Sequence, residues 1–106
     1  MDFKEIASSL GLDKDDLIEL LEIFLTTSFA DIEKIETGLK ENNAEKVARA
    51  AHSIKGASAN LGFHEISSRS RDVEMAARDG SLAGINKYTD NILKELKKVE
   101  NGAKMI

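Results

Sequence analysis

The sequence predicts an all-α protein, an antiparallel up-and-down four-helix bundle with a short extra N-terminal helix. Three observations predict it. Apolar residues recur at spacings of three and four along most of the chain. Gly and Asn cut that pattern into blocks. Pro is absent, and Ala, Leu, Glu, Lys and Ile dominate, a composition that favours helix. The 106 residues suit a single domain spanning 1–106, with one modest core.

The first block runs from Phe3 to Leu10, and Gly11 is its expected terminator. Asp13 can cap the second helix, whose first turn carries Asp15 and Asp16 where the helix dipole favours acids. Leu17, Leu21, Phe24, Ser28, Ile32, Ile35 and Leu39 form one face of it, to about Lys40. Asn42 and Glu45 read as a capping box opening a third helix to about Asn60. Its core positions are Val47, Ala51, Ile54, Ser58 and Leu61, and Gly62 ends it. A fourth helix follows from His64 to Arg78, with Ile66, Ser70, Val73 and Ala77 inward and Gly80 closing it. Ser81 is the expected cap of the last helix, where Leu82, Ile85, Tyr88, Ile92, Leu96 and Val99 face in. That helix should fray near Asn101 and Gly102. Short turns between amphipathic helices give antiparallel neighbours.

Charge and composition exclude several functions. The net charge of −4 offers no basic face for nucleic acid or an anionic membrane. Cys is absent, so neither disulfides nor thiolate chemistry arise. The N-terminus lacks a signal-peptide pattern, and no apolar run approaches the roughly 18 residues of a membrane span. A cytoplasmic protein is expected. Two His residues twelve apart make a poor metal site, so no metal is expected. No Walker pattern, Gly-x-Gly-x-x-Gly or nucleophile elbow is present, so no ATP site, hydrolase site or cofactor is expected. His64 reads as a surface residue or helix cap. Arg69, Arg71 and Arg78 read as a solvated face pairing with Asp72 and Glu74.

His52 stands apart. With Val47 as reference on a helical wheel, the other core positions of its helix fall within roughly 40°, while His52 lies about 140° away. It should therefore face solvent. Its neighbours on that face, Ala48, Gly56 and Ala59, are all small, where Glu, Lys or Arg would be usual. A mid-helix Gly costs about 1 kcal/mol relative to Ala, so Gly56 calls for a reason beyond helix stability. An imidazole above a flat strip can be approached closely by another protein. Lys55, one turn on, places a cation where an added phosphate would sit. A neutral imidazole is a nucleophile near pH 7 and can carry a phosphoryl group covalently.

The stretch Ala51-His52-Ser53-Ile54-Lys55-Gly56-Ala57-Ser58-Ala59-Asn60-Leu61-Gly62 closely resembles the histidine-containing phosphotransfer (HPt) family, whose signature is His-x-x-Lys-Gly and an apolar run ending Leu-Gly. Chain length, helix order and Glu74-Met75-Ala76-Ala77-Arg78 are also similar to the family. The resemblance implies a phosphorelay intermediate that takes phosphate from a response-regulator receiver aspartate or a hybrid sensor histidine kinase and passes it to another receiver. It implies His52 as phosphoacceptor, Lys55 as charge partner and Gly56 as room for the docking receiver. It implies a carrier without kinase machinery. A monomer is expected. The family's docking surface comes from the second and third helices, which points to Ile18, Leu25 and Phe29 beside Ala48, Gly56 and Ala59; the same three apolar residues also read as plain core. Some members orient the ring with a Gln or Glu, which this sequence does not place: Glu45 is on a compatible face but about two turns before His52, and Asn60 is no better placed.

Two rivals frame this reading. A sensor-kinase dimerisation helix would carry an acid directly after the His and a Pro shortly beyond; here Ser53 follows and Pro is absent. The other is a helical adaptor with no phosphochemistry.

Overall fold

The computed structural model describes residues 2–106. They form five helices: α1 (Phe3–Leu10), α2 (Lys14–Lys40), α3 (Ala44–Leu61), α4 (His64–Arg78) and α5 (Ile85–Lys104). The last four make a bundle in which each packs on its chain neighbours and α5 closes against α2. The long axis is 42 Å, set by the 27 residues of α2 at about 1.5 Å each. None of the described helices is long and apolar enough to cross a membrane.

Local chemistry sets most of the boundaries. Asp2 caps α1 by accepting from the Glu5 N–H, and Asp13 caps α2 by accepting from Asp16 at 2.8 Å. Gly11 and Gly62 end α1 and α3 in the left-handed region, at φ 67° and 80°. Three expected ends move. The α3 cap is Asn43, whose Oδ1 accepts from the Lys46 N–H at 3.1 Å; Asn42 instead takes φ 54° in the turn. Asn tolerates that conformation, which a following helix cannot use. Ser81 does not cap α5, which starts at Ile85 after Gly84 at φ 81°. The chain needs Ser81–Gly84 to turn between two packed helices. Nor does α5 fray at Gly102: Phe3 of α1 packs where a Gly102 Cβ would stand, 2.7 Å from the ring, and the helix continues to Lys104.

The inward stripes meet in one core. Leu21, Ile35, Val47, Ala51, Ile54, Val73, Ile85, Ile92, Leu96 and Val99 are fully buried. Leu39, Leu82 and Tyr88 sit half-buried at its edge. Phe24 and Phe63 close one end, with ring centroids 5.3 Å apart. At the other end Gly38 lets α2 and α3 approach: a Cβ there would lie 2.7 Å from Val47 Cγ2 and 3.2 Å from the Asn43 carbonyl. Gly38→Leu is therefore expected to lower stability by about 2 kcal/mol, with overpacking outweighing the helix-propensity gain. An unchanged urea midpoint would show that the helices part there without loss.

Candidate functional site

α3 lies between α2 and α4, which buries Ala51 and Ile54 and turns His52 outward. The His52 side chain is 62% exposed, as the wheel predicts. Beneath it lies Glu74 of α4, whose side chain is only 7% exposed. The α3–α4 hairpin folds at Gly62 and Phe63, and this brings positions 52 and 74 level. Glu74 Oε2 lies 2.9 Å from His52 Nδ1. The same oxygen accepts from Arg78 Nε at 3.1 Å and Nη2 at 2.8 Å. Its other oxygen, Oε1, accepts from Lys55 Nζ at 2.6 Å. One turn of α3 separates His52 from Lys55, and one turn of α4 separates Glu74 from Arg78, so three side chains converge on the one carboxylate of Glu74.

Burial pushes the Glu74 carboxyl up, but the hydrogen bonds from Lys55, Arg78 and His52 outweigh burial and hold its pKa at about 2. Glu74 is thus ionised and can only accept hydrogen bonds. The His52 contact then requires the proton on Nδ1, which leaves Nε2 as the free nitrogen on the exposed side. The depressed value has a stability consequence. Its contribution is fully present above the ordinary carboxylate value of 4.5 and is lost as pH falls through about 2. The expected contribution is on the order of 2 kcal/mol, reduced from the full shift because His52 and Arg78 are largely exposed. Glu74→Gln should flatten the fall in urea stability between those pH values, and an unaltered pH profile would contradict the assignment.

The remaining sequence candidates divide. Gly56 and Ala59 are exposed on the His52 face, and nothing lies within 4 Å of a Cβ placed on Gly56. Ala48 does not belong to that open strip: it is 2% exposed, because it lies nearer the core stripe than His52 does and its short side chain is covered. Leu25 is core at 8% exposed, and Phe29 is half-buried against the core. Ile18 is half-buried too. All three lie on the wrong flank of α2 to join the His52 strip. The flank facing α3 carries Gly38, against Val47, and Asp31 and Lys34, which line a groove with Ala50 and Ser53. Ile18, Leu25 and Phe29 lie more than about 120° around the helix from the middle of that flank. The other neighbour of α2 is α5. Besides Lys34, exposed residues nearer the α3 flank include Thr27 and Ile23, the latter 57% exposed.

Glu45 and Asn60 do not reach the ring. Glu45 pairs with Arg49, and Asn60 lines a groove of about 960 Å³ between α1 and the bundle. The ring's partner is Glu74, which sequence reasoning placed only in an Arg pair. Its signal was an acid on the flank of the α4 stripe, next to Val73, but only the hairpin register puts it under His52. The expected Arg69–Asp72 and Arg78–Glu74 pairs both form. His64 is an exposed first residue of α4. No group of three or more His, Asp or Glu converges on a possible metal position among the described residues.

The family model described as "Hpt domain" matches residues 19–102. The chain belongs to the Hpt domain family. As an Hpt domain it serves phosphotransfer in two-component phosphorelays, a setting in which such domains work with histidine kinases and receiver domains. Among solved structures it is similar to the histidine-containing phosphotransfer protein B (HptB) of Pseudomonas aeruginosa PAO1, at 25% identity and a TM-score of 0.87, covering 99% of this chain and 91% of that one. It also shares its fold with the HPT domain of an Hpt sensor hybrid histidine kinase from Shewanella, at 22% identity and a TM-score of 0.77, with the same coverage. No curated protein matches this chain.

Proposed function

We propose that His52 Nε2 accepts a phosphoryl group from the aspartyl phosphate of a response-regulator receiver domain, or from a hybrid sensor kinase, and returns it to another receiver aspartate. The observation that carries this reading is the His52 Nδ1 contact to an ionised, buried Glu74, which leaves Nε2 as the outward lone pair. In the forward step the Nε2 lone pair forms a bond to phosphorus, the phosphorus–oxygen bond to the aspartate breaks, and the carboxylate leaves with the electrons of that broken bond. The developing charge sits near Lys55, which supplies a cation without giving up a proton. The domain needs no cofactor and no kinase machinery of its own in this scheme, because the partner brings an activated phosphate.

The docking floor is Gly56 and Ala59 on α3. Thr27 and Ile23 of α2 extend it, since both are exposed on the flank toward α3 and the antiparallel register that sets Gly38 against Val47 puts Thr27 at about the height of Ser58 and Ile23 at about that of Gly62. Residues 1–106 act as one cytoplasmic domain, as a monomer, because the His52 face is then open to a partner.

The test is incubation with a phosphorylated receiver domain. Acid-labile, base-stable phosphate on the chain, mapped to Nε2 of His52 by NMR, is the expected result. Binding of receivers without label, across several receivers, would favour the adaptor reading instead.

A further inference from the structure

The Glu74 oxygen that holds His52 is shared. Oε2 takes the His52 Nδ1 contact and both Arg78 hydrogen bonds, whereas Lys55 alone occupies Oε1. Among the described residues, the charged groups within ion-pair distance of Glu74 are His52 and Lys55 from α3 and Arg78 from α4; α2 and α5 bring none. An Arg–Glu pair four residues apart on a helix is ordinarily a weak surface contact. Here one of its atoms is buried and already engaged with the reactive ring. Three donors thus share an oxygen with two lone pairs, and Arg78 competes with the Nδ1–H for it.

We propose that Arg78 is a positioning residue that lengthens the lifetime of the phosphohistidine by drawing Glu74 Oε2 away from the ring's Nδ1 proton. The inference rests on His52 being the phosphoacceptor. A ring phosphorylated on Nε2 that keeps its Nδ1 proton is cationic. When water attacks phosphorus, the phosphorus–nitrogen bond breaks and its electron pair returns to Nε2. The ring leaves as neutral imidazole with its Nδ1 proton, and the phosphoryl group leaves as dihydrogen phosphate. Without the Nδ1 proton the leaving group would be an imidazolate, and cleavage is slow. A carboxylate under Nδ1 holds that proton and favours cleavage. A guanidinium on the same oxygen weakens its hold. Arg78 acts through Glu74, with its own side chain 59% exposed at the rim.

The test compares phosphohistidine hydrolysis against pH in wild type, Arg78→Met and Arg78→Lys. Arg78→Met keeps an unbranched apolar stem and removes the charge. Its decay profile should shift to higher pH by about half a unit, which makes decay near pH 8 about threefold faster. Arg78→Lys should restore part of the difference. A profile with an unmoved midpoint overturns the proposal. So does faster decay at every pH by one common factor, which would mean that Arg78 touches the phosphoryl group itself. A second arm needs no phosphate. The carboxyl carbon of Glu74, followed by NMR, should titrate at higher pH in Arg78→Met than in wild type, and equal titration overturns the coupling. Should wild type take no label while this arm succeeds, the phosphoacceptor reading fails and the Arg78–Glu74 coupling stands.

Discussion

His52→Gln is expected to accept no phosphoryl group and to fold like the wild type. Both halves follow from its place in the bundle. The side chain is 62% exposed and makes one hydrogen bond, to a carboxylate that keeps Lys55 and Arg78 as partners. Glutamine suits the helix at least as well as histidine. Helical content should be unchanged, and stability should shift by no more than about 0.5 kcal/mol. Chemically the substitution removes the only imidazole on the exposed face of α3 among the described residues, and an amide nitrogen has no free lone pair for attack on phosphorus. Loss of label on a folded variant, seen by circular dichroism and by acid-labile phosphate, is the expected result. Label retained on His52→Gln would place the acceptor elsewhere; His64 is the remaining imidazole.

Gly56→Arg moves stability and function in opposite directions. A Cβ at Gly56 meets nothing within 4 Å, so the bundle has room for the longer side chain. Arg is better than Gly in a helix interior by roughly 0.7 kcal/mol, and the urea midpoint should rise accordingly. One turn from His52, the same side chain would stand on the floor proposed for the receiver. Transfer should fall by at least about tenfold, equivalent to about 1.4 kcal/mol of lost docking. The paired measurement is a urea melt and a transfer time course on one preparation. A more stable variant that transfers at the wild-type rate would remove Gly56 from the interface.

The sequence by itself determined the helices, the inward stripes and the His-x-x-Lys-Gly face. Those features are local. A 3.6-residue period and a wheel place Ala51 and Ile54 inside and His52 outside, and the structure agrees at each. Caps were legible where one side chain decides them, as at Asp13 and Gly62, and shifted where the turn between packed helices decides them, as at Asn43 and Gly84. Only the tertiary structure decided what lies across from what. Which flank of α2 meets α3 depends on the side on which the hairpin closes, and that choice puts Ile18, Leu25 and Phe29 on the flank away from α3 and Ile23 and Thr27 on the flank toward it. Glu74 stands 22 positions from His52 and reaches it through the register of α3 against α4. Helical periodicity fixes a direction around one axis. It carries no information about rotation or height relative to another, and that relation orients the ring and depresses the Glu74 pKa to about 2.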